Sequence, residues 1–162
     1  MCADNLSREQ RSKTMRAVRQ SHTFLENSVL HGLWHCGVRY RRNVRDLPGN
    51  PDMAIKHLKI VLFVDSCFWH GCRTHGRIPS TNRDYWAKKI SGNSARDREI
   101  DATYSEMGWT CLRVWEHDIR SDLAGTVQRL CAEIRSAAED GQASRGNTQG
   151  RASPRDEVET SR

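Results

Sequence analysis

The 162-residue chain lacks any apolar stretch long enough to cross a bilayer. Its longest apolar run, Ile60-Val61-Leu62-Phe63-Val64, is the length of a strand. The first residues are polar and carry no apolar signal region, so the expected compartment is the cytoplasm. There is no internal repeat. From Ala137 onward there is one branched aliphatic residue, Val158, and no aromatic, a composition that predicts a disordered tail. With 36% hydrophobic and 28% charged residues, the rest is sufficient for one soluble domain without disulfide staples. Six cysteines in a reducing compartment point away from disulfides, and their spacing must explain them.

Positive charge is present in excess but unevenly. Residues 1–100 hold 18 Lys/Arg against 9 Asp/Glu, and residues 101–162 hold 8 against 11. A basic first hundred residues attracts a polyanion and suffices for salt-sensitive phosphate binding, although basic faces also occur without it.

Ser7-Arg8-Glu9-Gln10 has the form of a capping box and opens a basic helix through Arg11, Lys13, Arg16 and Arg19. Met15 and Val18 are its main apolar residues, so it is suited to lie against a ligand rather than a core. A second capping box, Thr23-Phe24-Leu25-Glu26, predicts a second helix with Leu25, Val29 and Leu33 on one face, ended by Gly37. Val38–Arg41 alternates like a half-exposed strand, and Leu47–Pro51 is a turn. Asp52–Ile55 and Lys59–Asp65 read as strands of a hairpin about His57-Leu58, placing Asp52 opposite or nearly opposite Asp65.

The spacing from Trp86 to Met107 predicts a helix whose inward stripe is Trp86, Ile90, Ile100, Tyr104 and Met107, interrupted by Asn93 and Asp97. Polar groups inside such a stripe must find partners, at about 1–3 kcal/mol for each left unsatisfied. Gly108 ends the helix. Thr110–Trp115 predicts a strand, and Leu123–Ile134 a closing helix with Val127, Leu130, Cys131 and Ile134 inward. Cys2 is expected to be a terminal thiol, and Cys36 and Cys131 core residues.

Cys67-x4-Cys72-x2-His75 has the density of a zinc site. His117 is the candidate fourth ligand and Cys111 its competitor; four protein ligands would make the ion structural. His70, between the ligands, is either a further ligand or a general base. Asp97 either orients that imidazole or pairs with Arg96 or Arg98. Asp52 and Asp65 are candidate magnesium ligands at a sheet rim, or Asp52 is simply a Pro-Asp turn device. Glu26 serves its helix in the plainer reading. Phe68, Trp69 and Trp86 are core aromatics or wedges for a duplex. Consecutive Phe68 and Trp69 are expected to point different ways, exposing at least one.

Five blocks, in one order, resemble the very short patch repair (Vsr) endonucleases: Arg11–Val18, Leu47–Asp52, Cys67–Cys72, Tyr85–Asp97 and Gly108–Glu116. The resemblance covers roughly residues 7–135. It implies an α/β fold like that of restriction endonucleases, a mixed central β-sheet flanked by helices. It implies a basic DNA-contacting helix over 1–20, the endonuclease domain over 21–136 and a tail over 137–162. The activity implied is a nick 5′ of the thymine in a T·G mismatch, the lesion left when 5-methylcytosine deaminates. By position, Asp52 and the Val64 carbonyl would hold magnesium, His70 would activate water, Asp97 would orient it, and Glu26 and Asp65 would lie near. Cys67, Cys72, His75 and His117 would hold zinc. Phe68, Trp69 and Trp86 would wedge into the duplex, with Met15 approaching from the other groove and Arg11, Lys13 and Arg16 contacting DNA. The expected protein is a bacterial monomer acting on double-stranded DNA, with mismatch-repair proteins as further partners and no membrane. A nuclease on matched DNA and a non-catalytic, zinc-stabilised DNA-binding module are the alternatives.

Overall fold

The computed structural model describes residues 7–80 and 82–146. It begins with helix α1, Arg8–His35, started by the capping box expected at Ser7: its hydroxyl accepts from Gln10 N at 3.2 Å, and Gln10 Oε1 accepts from Ser7 N at 2.7 Å. The helix runs without a break through the second capping-box sequence, so two expected helices are one. Neither glycine nor proline lies between Gln20 and Phe24 to interrupt it. At its end Gly37 (φ +86°) lets Val38 N–H return to the Leu33 carbonyl at 3.1 Å.

Strands β1 (Arg41–Arg42), β2 (Met53–Ile55), β3 (Ile60–Asp65) and β4 (Thr110–Trp115) form one mixed sheet in that order. The expected strand at Val38–Arg41 is thus later and shorter: Tyr40 spends its hydroxyl on the Leu30 carbonyl of α1, 2.6 Å away, and only Arg41 and Arg42 reach β2. β2 and β3 are the expected antiparallel hairpin, joined by a 3-10 turn over Lys56–Leu58 and a left-handed Lys59. The register pairs Met53 with Leu62, so Asp52 falls beside Phe63 and Val64 rather than opposite Asp65. β4 runs parallel to β3, Phe63 facing Arg113 and Asp65 facing Trp115. The crossover between them carries α2, Arg83–Glu106.

Side-chain alternation assigns the two faces. Met53, Ile55, Ile60, Leu62, Val64 and Val114 pack under α1, α3 (Glu116–Ser121) and α4 (Leu123–Gly146). Ala54, Val61 and Phe63 pack with Tyr104 under α2. The closing helix buries Val127, Leu130, Cys131 and Ile134 as expected, but continues past Ala137 to Gly146. Ala137 still touches the core, so the helix occupies the first part of the segment expected to be a disordered tail; residues 147–162 of that segment lie outside the described residues. Cys36, expected in the core, is exposed at the end of α1. Met107, expected on the inward stripe of α2, follows the last helical turn and is 40% exposed. Among the described residues no helix is long and apolar enough to cross a membrane.

Candidate active site

The parallel strands β3 and β4 end side by side, and the segments that leave them meet in a knot of four side chains. Cys67 and Cys72 come from the loop after β3, His75 from its continuation and His117 from the first turn of α3, two residues beyond the end of β4. Their ligand atoms all lie within 4.8 Å of one another. His117 Nδ1 is 3.2 Å from Cys67 Sγ and 3.6 Å from Cys72 Sγ, and His75 Nδ1 is 3.9 Å from Cys72 Sγ. Metal–ligand bonds of about 2.0–2.3 Å in a tetrahedron require edges of about 3.3–3.8 Å, so the donors are nearly placed to hold a metal ion. His117 Nε2 rests 3.3 Å from Asp118, the outer carboxylate a ligating imidazole usually has. Cys111 is elsewhere, its thiol donating to Asp101 at 3.4 Å; burial and that carboxylate push its pKa up to about 12. The two knot thiols divide: burial pushes Cys67 up to about 11, whereas at Cys72 backbone hydrogen bonds at His75 and Thr74 outweigh burial and bring it down to about 7.

The loop is anchored on both sides. Glu116 accepts from Ser66 Oγ at 3.1 Å and from Cys67 N at 3.2 Å. Burial works against its charge, yet Arg120, Ser66 and Cys67 hold its pKa below the ordinary value. From α2, Asn93 donates to the Trp69 carbonyl at 2.9 Å and Ser94 to the His70 carbonyl at 3.1 Å. The polar interruption of the α2 stripe is therefore a set of partners for this loop.

His70 is held outside the knot. Its Nδ1 lies 2.7 Å from Asp97 Oδ2 and 3.7 Å from Asp65 Oδ1. Asp97 thus pairs with the imidazole rather than with Arg96 or Arg98. Asp65, 3% exposed, receives both of its short bonds from Arg113 Nη1, at 2.8 and 2.9 Å. Burial disfavours the guanidinium charge, but Asp65 and Asp101 raise its pKa above the ordinary arginine value. These groups line a cavity of about 600 Å³ with Arg73, Arg98 and His117 on its walls.

Asp52 lies just before β2, where it takes over from the ended ladder: its Oδ2 accepts Val64 N–H at 2.7 Å. By alternation from Met53 it belongs to the α2 face, the face of Phe63, Asp65 and His70's partners. Glu26 does not cap its helix. It is buried on the inner side of α1 and pairs with Arg42 of β1 at 3.2 Å.

Phe68, Trp69 and Trp86 form one cluster, with ring centroids 4.9 Å (Phe68–Trp69), 5.4 Å (Phe68–Trp86) and 5.9 Å (Trp69–Trp86) apart. Phe68 and Trp69 thus pack against each other instead of diverging, because they sit in a turn where strand alternation does not apply. All three are half-buried, and Tyr85 beside them is 58% exposed. Lys13 is exposed on α1. The side chains of Arg11, Met15 and Arg16 lie outside the described residues. Sequence reasoning missed Arg113, Glu116 and Ser94; the one available signal was an arginine amid the apolar residues of β4.

A mixed sheet presenting a carboxylate-held imidazole, further acidic side chains and a thiol–imidazole knot that could hold a metal ion has the groups a metal-assisted hydrolase requires. A family model described as DNA mismatch endonuclease Vsr matches residues 3–75. The chain is 41% identical over 129 residues to a type II nicking enzyme, V.XorIIP, of Xanthomonas oryzae pv. oryzae, covering 78% of this chain and 93% of that one. It is 38% identical over 122 residues to the type II nicking enzyme V.NaeI of Lentzea aerocolonigenes (72% and 74%). It is 34% identical over 119 residues to the DNA mismatch endonuclease Vsr of Escherichia coli K12 (73% and 76%). The chain belongs to the Vsr family of DNA mismatch endonucleases and is a nuclease.

Proposed function

We propose that this enzyme nicks duplex DNA on the 5′ side of the thymine in a T·G mismatch, using magnesium at Asp52 and a structural zinc held by Cys67, Cys72, His75 and His117. The observation that carries the reading is the His70–Asp97 pair at 2.7 Å, set between the sulfur–nitrogen knot and the Asp52 end of the sheet. Its mechanism follows from the residues in place. An Nδ1 proton engaged by Asp97 leaves Nε2, on the far side of the ring, as the basic nitrogen. Nε2 takes a proton from water as the water oxygen bonds to phosphorus and the ester P–O bond breaks. A magnesium ion, when bound, would polarise the phosphate and stabilise the leaving oxygen.

The donors suit each ion. Asp52 and the Val64 carbonyl offer the hard oxygens magnesium requires. In a strand, a residue's N–H and C=O point to the same side, so the Val64 carbonyl is directed to the edge where Asp52 already meets its N–H. Two thiols and two imidazoles at tetrahedral edges suit zinc. Glu26, paired with Arg42, is an accessory acid near the site. The half-buried ring cluster supports a role for Phe68, Trp69 and Trp86 as wedges that open base steps near the mismatch. Arg11, Lys13 and Arg16 supply phosphate contacts from α1, with Met15 beside them in the groove. The reading includes a restriction-endonuclease-like fold, a monomer acting in the bacterial cytoplasm, and mismatch-repair proteins as further partners.

Nicking of matched and T·G duplexes with randomised flanks tests it. The expected result is magnesium-dependent nicking of T·G duplexes alone, abolished by Asp52→Ala with fold and zinc retained. His70→Ala should remove cleavage while zinc stays stoichiometric. Equal cleavage of matched DNA would make the enzyme a general nuclease, unchanged nicking by Asp52→Ala would remove magnesium from that residue, and DNA binding with no nicking by the wild type would leave only a binding module.

A further inference from the structure

The geometry assigns Arg113 as the positioning residue of this active site: it holds Asp65 and Asp97 around one nitrogen of His70 and thereby fixes which imidazole nitrogen faces the substrate. The inference deepens the proposed catalytic role of His70 and rests on it.

All three guanidinium nitrogens are committed. Nη1 donates to both oxygens of Asp65, at 2.8 and 2.9 Å. Nη2 donates to the Asp97 carbonyl at 3.4 Å and lies 3.7 Å from Asp97 Oδ1. Nε donates to Asp101 Oδ1 at 2.9 Å, and the guanidinium carbon sits 4.7 Å over the Phe63 ring. Asp97 and Asp101 are one turn apart on α2, and Asp65 ends β3. One cation in the middle of β4 therefore ties three carboxylates from two elements that would otherwise repel one another. Both carboxylates nearest His70 Nδ1 belong to this set, Asp97 at 2.7 Å and Asp65 at 3.7 Å. Imidazole and guanidinium close a ring through two shared acids. A ring held at four points restricts rotation of the imidazole more than a single Asp97 contact does.

Asp65 in this arrangement is a counter-charge rather than a metal ligand. Its two oxygens face Arg113, and the register separates it from Asp52. Arg113 does not meet substrate: its side chain is 18% exposed and its nitrogens are occupied.

Three variants of the full chain test this: Arg113→Lys, Arg113→Met, and the double variant Asp65→Asn/Arg113→Met, which leaves no unpaired buried carboxylate at position 65. On the best duplex the wild-type enzyme nicks, Arg113→Met should lower the single-turnover rate by about 100-fold, the scale expected for a misplaced catalytic group, with the Kd for DNA within about twofold. Arg113→Lys should recover part of the rate. The double variant should regain the wild-type melting temperature without regaining the rate. Long-range proton–nitrogen NMR spectra give a readout independent of cleavage: wild-type His70 should be the Nδ1–H tautomer, and the double variant a mixture. Full rate in the double variant, a weakened Kd at unchanged rate, or an Nε2–H tautomer in the wild type each overturns the assignment. Failure of the nuclease reading is seen separately, as a wild-type enzyme whose cleavage does not depend on His70 while its tautomer is as expected.

Discussion

At the scale of single residues, the site uses ordinary groups made specific by their partners. Asp97 is the sharpest case, because its carboxylate is the shortest contact of the His70 imidazole. Asp97→Asn keeps shape and hydrogen bonding but loses the charge that favours an Nδ1–H imidazole. The nicking rate should fall by about 10²–10⁴, the span usual for general-base catalysis, with circular dichroism and zinc content unchanged. Tyr104 gives a prediction about stability. It is fully buried, donates to the Pro48 carbonyl at 2.7 Å, and burial pushes its pKa up to about 12. Its protonated form is therefore favoured by folding. The contribution is complete below pH 10, the ordinary tyrosine value, and is lost as pH rises through about 12. Alkaline titration followed by tyrosinate absorbance should show a late step coinciding with unfolding, and Tyr104→Phe should remove that step.

At the scale of elements, the legible parts were those with strong local periodicity. α2, β3 and β4 follow directly from apolar spacing and alternation, and their ends at Gly108 and Asp65 fall where the sequence places them. The Asn93 and Asp97 interruption of the α2 stripe announced a site, because buried polar groups must be paired. What failed depends on context that a local window does not contain. The Thr23 box has the residues of a cap, but helix propensity on both sides carries α1 through it. Strand alternation misled at Phe68-Trp69 because the chain turns there. The partners of Arg113 were illegible because its three acids lie 48, 16 and 12 positions away. The loop between β3 and α2 also holds a position where a side chain would be strained. Gly71 has φ +64°, and a Cβ there would stand 2.9 Å from Ile90 Cγ2 and 3.2 Å from Ser94 Oγ. Ser94 is the residue that holds the His70 carbonyl. Gly71→Ala should cost about 1–3 kcal/mol in denaturant unfolding and lower the nicking rate more than it weakens DNA binding.

At the scale of the whole molecule, the knot is the joint between the sheet and the loop that carries His70. It ties Cys67 at the end of β3 and the loop residues Cys72 and His75 to His117 in α3, with Glu116 fastening the same loop. Without a metal ion, two buried thiols and two imidazoles converge with only weak hydrogen bonds among them, so the loop carrying His70, Phe68 and Trp69 loses its common anchor. An ion that binds only the folded chain adds stability by mass action. Treating the protein with a strong zinc chelator should therefore lower its melting temperature and stop nicking together. Excess magnesium alone should restore neither, whereas zinc should restore both. The donor assignment is tested in the same experiment. His117→Ala should reduce the bound zinc, but Cys111→Ser should leave one zinc per chain, because Cys111 sits near the start of β4, the opposite end from the knot, with its thiol on Asp101. Zinc lost from Cys111→Ser and kept by His117→Ala would reverse the assignment and remove α3 from the anchoring of the His70 loop.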